Sequence, residues 1–314
     1  MFFALCIERR RDYKIIRRIG FVGVGLMGSA MARNLISAGF LVTAFDTDPV
    51  RLGEAVAAGA QKASAPERIS ADVDVIILSL PNTHIVEAAI TDSLRLFETA
   101  RPGLIVIDTS TIDSDTSASM ATRLQLKGIE MLDAPVSGTP DMCAAKENII
   151  LAGGKLEVFD RCKTVFSAMA KEAVYIGANG SALTLKLVVN LVLALNRMAL
   201  AEGLTLAAKV GFDQMQTLDV LKKSAAYSKA MDQKGERMVN RRFLPPIARL
   251  ATTYKDLRFI LALGAKLDCP LPLSALNAQA LASEVCKGRG GYDSSDIISF
   301  YDDLTKVQAQ FADS

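Results

Sequence analysis

Short apolar runs alternate with amphipathic segments over the first 180 residues of the chain. Ile19–Val24 is a strand-like run that leads into a glycine-rich turn, and the apolar residues of Leu26–Ser37 then recur at helical spacing. Further apolar runs of strand length follow at Leu41–Phe45, Asp74–Leu80, Leu104–Asp108 and, more weakly, Ile129–Asp133. Helical patterns lie between these runs at about Val50–Ala57, His84–Ile90 and Ser114–Leu126. This alternation predicts a mostly parallel sheet with right-handed crossover helices.

The pattern changes near residue 180. Before it, two short strands at Asn148–Ala152 and Ala173–Ile176 bracket a helix at about Glu157–Met169. After Gly180, Ser181–Val210 is predicted to be one long and mostly apolar helix, whose polar residues argue against a membrane span. Helical patterns then follow at Asp213–Lys223, Lys229–Asn240, Leu250–Leu267, Pro272–Lys287 and Ser295–Phe311. We therefore predict an α/β domain over residues 19–180 and an all-α domain over residues 181–314, joined by the long helix.

The first eighteen residues do not fit either domain. The apolar stretch Phe2–Ile7 is too short to span a bilayer, and three arginines follow it, which is the reverse of a secretory signal. We expect residues 1–18 to be a poorly ordered extension, or the product of a start codon assigned too early.

Composition narrows the class of protein. The 314 residues are 50% hydrophobic and 22% charged, which is typical of a soluble globular chain with room for two domains. The net charge of +2 gives little support for nucleic-acid binding. Five scattered cysteines without a CxxC pair indicate reduced thiols and a cytoplasmic location. The single histidine, His84, argues against a histidine-based metal site.

The glycine turn carries a dinucleotide-binding pattern. Gly23, Gly25 and Gly28 have the GxGxxG spacing directly after a strand and at the start of a helix, as in a doubly wound Rossmann-type domain. Asp46 ends the next strand, where an acidic residue commonly meets the ribose hydroxyls. A carboxylate there favours NAD over NADP, although the nearby Arg51 leaves NADP open. The alternative interpretation is a purely structural turn with a solvated aspartate.

Three further segments are candidates for substrate chemistry. Asp133–Gly138 ends a strand in a loop, where Ser137 and Gly138 could bind a carboxylate or simply form a turn. Lys186 and Asn190 lie one helical turn apart, and a lysine in an apolar helix suits proton transfer, the alternative being a side chain that extends to solvent. The Lys255–Asp256 pair could be only a solvated helix face.

Taken together these segments resemble the β-hydroxyacid dehydrogenase family, which includes 3-hydroxyisobutyrate dehydrogenase and glyoxylate/succinic semialdehyde reductase. Residues 19–31 are similar to the N-terminal signature of that family, and residues 133–138 to its DAPVSG motif. Lys186 and Asn190 stand where the family has its proton-transferring lysine and the accompanying asparagine, and residues 255–257 match its KDL motif. The resemblance covers the chain from about Ile19 to the C-terminus.

The resemblance implies a hydride transfer between a nicotinamide cofactor and a small hydroxy acid or its semialdehyde or keto acid. Lys186 would be the general acid/base, Asn190 would orient the hydroxyl or the lysine, and the helical domain would close over the nicotinamide end of the cofactor. The substrate would be bound by Ser137, Gly138, Thr139, Lys255 and Asp256. The cofactor would be bound by Gly23, Gly25, Leu26, Met27, Gly28, Asp46, Leu80, Pro81, Thr111 and Lys255. A homodimer or homotetramer is also implied.

Departures from the family pattern leave the substrate open. Thr139 replaces a common second glycine after the DAPVSG motif, and Ala182 and Ala226 also stand where glycine is frequent. Two alternatives of other kinds remain, an imine reductase and a non-catalytic dinucleotide-binding scaffold. Lys186 and Asp46 argue against the first, and the retained lysine argues against the second. A decarboxylating relative of 6-phosphogluconate dehydrogenase is disfavoured by the length of the helical half.

Overall fold

The computed structural model describes residues 15–305, and the chain divides into two compact units, Met1–Leu183 and Thr184–Ser314. Most of the predicted N-terminal extension, residues 1–14, lies outside the described residues. Each unit has its own hydrophobic core, so each is described separately below.

The first unit is built on a nine-stranded sheet. Its strands are β1 Arg18–Val22, β2 Leu41–Phe45, β3 Gln61–Lys62, β4 Val75–Leu78, β5 Ile105–Asp108, β6 Glu130–Asp133, β7 Val136–Ser137, β8 Ile149–Gly153 and β9 Glu172–Gly177. The spatial order is β3-β2-β1-β4-β5-β6-β8-β7, with β9 paired to β8. Strands β1 to β6 pair in parallel, whereas β8 runs antiparallel to β6 and β7. The prediction of a mostly parallel, doubly wound sheet is confirmed.

Strand residues alternate between two cores on opposite faces of this sheet. Ile19, Phe21 and Ile77 belong to one core, while Val22 and Ile76 belong to the other. Because side chains alternate along a strand, a sheet covered on both faces needs apolar residues at nearly every position. This requirement explains why β4, with the sequence VIIL, is an uninterrupted apolar run.

Helices on both faces complete the first unit. They are α1 Leu26–Ser37, α2 Pro49–Ala57, α3 Ile69–Asp72, α4 Thr83–Ala88, α5 Leu96–Thr99, α6 Ser114–Gln125, α7 Pro140–Ala144, α8 Leu156–Arg161 and α9 Lys163–Met169. Side chains cap several of them, since Asp48 accepts from the N–H of Val50 and Asp113 from that of Thr116.

Helices also form the whole regular structure of the second unit within its described residues. These are α10 Ser181–Val210, which begins in the first unit, α11 Gln214–Lys223, α12 Glu236–Val239, α13 Leu250–Lys266, α14 Pro272–Cys286 and α15 Ile297–Thr305. Their shared core includes Leu204, Leu218, Leu257 and Leu281. Helix α10 is long and apolar enough to cross a membrane by length and composition, but a core helix meets the same criteria.

The structure corrects several predicted elements. The single helix predicted at Glu157–Met169 is two helices, because buried Cys162 leaves helical geometry with ψ near 2°. The predicted helix at His84–Ile90 continues as a π-helical turn over Ala89–Ser93, and the one at Lys229–Asn240 contains another at Met231–Gly235. The last predicted helix is seen only to Thr305, and its remainder lies outside the described residues.

Candidate active site

The glycine turn joins β1 to α1 with close backbone packing. Gly23 has φ of +89°, and a Cβ there would collide with the carbonyl oxygen of Ser79, the residue after β4. A Cβ at Gly28 would collide with the carbonyl oxygen of Gly23, so the third glycine lets α1 pack against the turn. These two contacts are the physical reason for the first and third glycines of the pattern.

Gly25 is different because a Cβ there would meet nothing closer than Arg51 Nη1, at 3.6 Å. Gly25 is the N-cap of α1, where no side chain makes a capping hydrogen bond and no acidic residue lies in the first turn. The helix start, followed by Leu26 and Met27, is therefore suited to an anionic group. These features fit the pyrophosphate of a dinucleotide.

Asp46 is held against the same turn. Its Oδ2 accepts a hydrogen bond from the N–H of Val24 at 2.8 Å, and its Oδ1 accepts one from the N–H of Asp48, also at 2.8 Å. Asp48 in turn lies 3.2 Å from Nε of Arg51. The structure therefore brings the predicted carboxylate and the glycine turn together, with one arginine beside them.

The ends of β4 and β5 carry Leu80, Pro81 and Thr111. The N–H of Leu80 donates to Oγ of Ser110 at 2.9 Å, and the N–H of Ser110 donates to Oδ1 of Asp108 at 3.0 Å. Both are side-chain contacts that sequence analysis missed, because Ser110 has no helical or strand periodicity to mark it. Burial raises the pKa of Asp108 to about 7, against the effect of the hydrogen bonds from Ser110.

Asp133, at the end of β6, binds the start of α10. Its Oδ1 accepts from the N–H of Gly180 at 2.8 Å, and its Oδ2 accepts from the N–H of Leu183 at 3.3 Å. Burial raises the pKa of Asp133, while these backbone donors lower it. Asp133, the acidic residue of the DAPVSG segment, thus holds the start of α10, a role that its position at a strand end did not predict.

The rest of that segment forms a short strand and a helix start. Ser137 ends β7, and a Cβ at Gly138 would lie 2.9 Å from Cβ of Asn148, so a larger residue would not fit there. The hydroxyl of Thr139 accepts from the N–H of Met142 at 3.3 Å and caps α7. The residue that departs from the family pattern is therefore a helix cap in this chain.

The second unit gathers the other candidates around Asp256. Lys186 is 6% exposed on α10, and Asp256 is 9% exposed on α13. Asn190 Nδ2 donates to Oδ2 of Asp256 at 2.9 Å, and Lys255 Nζ lies 3.4 Å from Oδ1 of the same carboxylate. The sequence interpretation of Lys255–Asp256 as a solvated face is wrong for Asp256, which is buried.

The groups around Asp256 affect its pKa. Burial raises the pKa of Asp256, while the ammonium groups of Lys255 and Lys186 and the amide of Asn190 lower it. The attraction is mutual, so the carboxylate also favours the charged form of Lys186. A buried lysine with a carboxylate counter-charge and a fixed amide neighbour can hold and release a proton at Nζ.

A second buried ion pair lies outside this cluster. Lys234 Nζ is 2.8 Å from both carboxylate oxygens of Asp293, and the two side chains are 1% and 0% exposed. Burial would raise the pKa of Asp293, but Lys234 and the backbone donors of Ser295 and Ala248 outweigh it and lower the pKa to about 2. This pair fixes the loop before α13 in place.

The fold and the glycine turn define an oxidoreductase that uses a nicotinamide dinucleotide. Two family models match the chain, the NAD binding domain of 6-phosphogluconate dehydrogenase over residues 18–177 and the NAD-binding domain of NADP-dependent 3-hydroxyisobutyrate dehydrogenase over residues 180–301. The chain belongs to the β-hydroxyacid dehydrogenase family, and it is an NAD(P)-dependent enzyme with the fold of a soluble domain, as the sequence predicted.

Individual relatives support the same family. The chain is 32% identical over 290 residues to 2-(hydroxymethyl)glutarate dehydrogenase of Eubacterium barkeri, covering 92% of this chain and 96% of that protein. It is 31% identical to the cytokine-like nuclear factor N-PAC of Homo sapiens, covering 89% of this chain but only about half of that longer protein. The structure of Mycobacterium tuberculosis 3-hydroxyisobutyrate dehydrogenase with L-serine matches with a TM-score of 0.82 at 29% identity, covering 91% of this chain and 99% of that one.

Proposed function

We propose that the chain transfers hydride between NAD and a small hydroxy acid of the 3-hydroxyisobutyrate type, or the corresponding semialdehyde or keto acid. The proposal rests on the buried Lys186 and on Asn190 one turn away. The amide of Asn190 donates a hydrogen bond to Asp256. When bound, the nicotinamide ring supplies the acceptor or donor of the hydride.

Lys186 is the proposed general acid/base. In oxidation its neutral amine takes the proton of the substrate hydroxyl, and in reduction its ammonium returns that proton to the oxygen. Asp256 supplies the counter-charge for the ammonium, so the proton can remain on Nζ in a buried position.

Asn190 contributes an acceptor. A carboxylate can only accept hydrogen bonds, so the amide must direct Nδ2 to Asp256 and leave Oδ1 facing elsewhere. We assign Oδ1 to the substrate hydroxyl or to Lys186. The sequence gives both roles for Asn190 but does not show how its amide is oriented.

Substrate binding is assigned to Ser137, Gly138 and Thr139 at the end of β7, together with Lys255 and Asp256. The serine hydroxyl and the exposed backbone at Gly138 would donate to a substrate carboxylate. The hydroxyl of Thr139 caps α7, so its contribution comes from placing the backbone of this turn.

The cofactor is assigned to the glycine turn and two strand ends. The pyrophosphate would lie at Gly23, Gly25, Leu26, Met27 and Gly28, and the adenosine ribose at Asp46. Leu80, Pro81, Thr111 and Lys255 would border the nicotinamide half. The carboxylates of Asp46 and Asp48 would repel the extra phosphate of NADP, and Arg51, already paired to Asp48, offsets them only in part.

We further propose a cytoplasmic homodimer or homotetramer that acts on a small carboxylate and has no nucleic-acid or membrane partner. Residues 19–180 would bind the cofactor, and residues 181–314 would serve the substrate and oligomerisation. Exposed apolar side chains support an oligomer, among them Val188, Val192 and Leu206 on α10.

A substrate panel tests the proposal. The absorbance of NADH and NADPH would be followed with 3-hydroxyisobutyrate, 3-hydroxypropionate, serine, 2-(hydroxymethyl)glutarate, tartronate semialdehyde, glyoxylate and succinic semialdehyde. Oxidation of at least one hydroxy acid with NAD⁺, or reduction of at least one aldehyde with NADH, and slower turnover with NADP⁺ or NADPH support the proposal. Reduction of a cyclic imine with NADPH and of none of these acids would instead support the imine reductase alternative. Tight NADH binding without turnover of any compound would support the scaffold.

A further inference from the structure

Ser110 occupies an unusual position just beyond the last hydrogen-bonded residues of β4 and β5. The register of this strand pair ends at Leu78 and Asp108. Past that point, both the N–H and the hydroxyl of Thr109 donate to the carbonyl oxygen of Leu78, at 2.8 and 2.7 Å.

The hydroxyl of Ser110 continues the connection. It accepts from the N–H of Leu80 at 2.9 Å, and the serine is 4% exposed. The serine is itself held by Asp108, 1% exposed, whose Oδ1 accepts from its N–H at 3.0 Å. One side chain therefore ties the segment after β4 to the segment after β5.

Pro81 and Thr111, which the proposed function assigns to the nicotinamide half of the cofactor, each follow directly on one partner of this bond. In a doubly wound sheet the two halves of a dinucleotide lie on opposite sides of the point where strand order reverses. The glycine turn follows β1, whereas β4 and β5 lie on the other side of that point. The bond thus lies at the strand ends expected for the nicotinamide half.

We propose that Ser110 is a positioning residue for the nicotinamide half, because its hydroxyl holds the ends of β4 and β5 at the separation that the cofactor requires. Asp108 fixes the serine in turn. The inference rests on the proposed assignment of Pro81 and Thr111, and it does not depend on which hydroxy acid is the substrate. Loss of the hydroxyl leaves the N–H of Leu80 without an acceptor and removes this link between the segments that follow β4 and β5.

The test compares two ligands on purified full-length protein. NADH carries both halves of the dinucleotide, whereas ADP-ribose lacks the nicotinamide ring. Dissociation constants for both would be measured by isothermal titration calorimetry for Ser110→Ala, Ser110→Cys and Ser110→Thr. Ser117→Ala is the matched control, because Ser117 is also a fully buried serine of this unit but its Oγ makes no hydrogen bond.

We expect Ser110→Ala to weaken NADH binding about tenfold, because binding must then order the two strand ends at a cost similar to that of the lost hydrogen bond, about 1 kcal/mol. ADP-ribose binding should stay within about twofold, the size of an ordinary surface effect. Ser110→Thr keeps the hydroxyl and should restore NADH binding, Ser110→Cys should fall between, and Ser117→Ala should match the wild type.

Unchanged NADH binding in Ser110→Ala would overturn the inference, and so would an equal loss for both ligands, which would indicate general loosening. If Ser110→Ala fails to fold, the same comparison between Ser110→Cys and Ser110→Thr decides. These outcomes differ from failure of the proposed function, in which wild-type protein binds NADH normally and turns over no hydroxy acid.

Discussion

Asn190 Nδ2 donates to Oδ2 of Asp256 at 2.9 Å, and this bond joins α10 to α13. Lys186 lies one turn before Asn190, and Lys255 contacts the other oxygen of the carboxylate. One buried aspartate therefore has two tasks, since it orients an amide and balances two ammonium groups.

Replacing Asp256 with asparagine should disturb both tasks without changing the volume of the side chain. The new amide can donate as well as accept, so Asn190 is no longer held in one orientation, and the charged form of Lys186 loses its counter-charge. We expect kcat for hydroxy acid oxidation to fall by about 10- to 100-fold, within the usual range for proton-transfer groups. We also expect the acidic limb of the kcat/KM profile to move to lower pH.

The surface variant Asp160→Asn is the control for Asp256→Asn, because Asp160 only makes an exposed ion pair with Lys163. A drop in kcat with an unmoved pH profile would mean that Asp256 acts through packing alone.

Lys186→Met removes the proposed proton acceptor but retains the apolar stem of the side chain. Turnover should fall by at least about 100-fold, the lower end of the contribution expected from general acid/base catalysis. NADH affinity, measured by fluorescence titration, should remain near that of the wild type. Lys209→Met, an exposed lysine in the last turn of the same helix, serves as the control. Turnover near the wild-type rate in Lys186→Met would show that another group moves the proton.

Lys234→Met should destabilise the second unit. The substitution removes the nearer cation of the buried Asp293 carboxylate, while Arg237, at 3.9 Å, and the backbone donors of Ala248 and Ser295 remain. Breaking a buried pair in this way typically costs about 3–5 kcal/mol, whereas an exposed pair contributes at most about 1 kcal/mol. Urea unfolding of Lys234→Met and of Lys163→Met, which breaks an exposed pair, measures the two costs directly. Equal midpoints for the two variants would contradict the importance of the buried pair.

Asp108→Asn should change how stability depends on pH. Burial raises the pKa of Asp108 to about 7, above its ordinary value of 3.8. The native protein thus keeps a proton that the unfolded chain releases, and raising the pH from about 4 to about 7 destabilises the wild type through this group. The variant has no such proton and can still accept from Ser110. The unfolding free energy of the variant minus that of the wild type should therefore increase over this range, by up to roughly 4 kcal/mol.

Denaturant unfolding of both proteins across the pH series measures this difference. A constant gap between the two proteins would indicate that folding does not shift the pKa of Asp108.

Hydrophobic spacing predicted α1, β2 and α10 with the bounds that the structure gives them. These elements have strong periodicity and clear ends, such as Gly39 after α1. The hydrophobic spacing did not predict the helix break at Cys162, because nothing in the local sequence marks a break that depends on tertiary packing. It also failed for the two-residue strands β3 and β7, which are too short to show a period.

The candidate site was predictable where residue type and position coincide. The glycine turn, Asp46, Lys186 and Asn190 each combine a rare residue or spacing with a defined place on an element. Partners across elements were not predictable. The bonds from Ser110 to Leu80 and from Asn190 to Asp256 join residues 30 and 66 positions apart, and no local pattern connects such pairs.

The division between the two compact units falls between Leu183 and Thr184, inside the continuous helix Ser181–Val210. A fragment that ends at Leu183 would keep the two amides that bind Asp133 but lose the rest of the helix that orders them. A fragment that starts at Thr184 would begin with an uncapped helix end only two residues before Lys186. Fragments for separate expression therefore need overlapping ends that each carry the first turns of α10, since a cut at the division would leave a frayed helix end beside Asp133 in one fragment and beside Lys186 in the other.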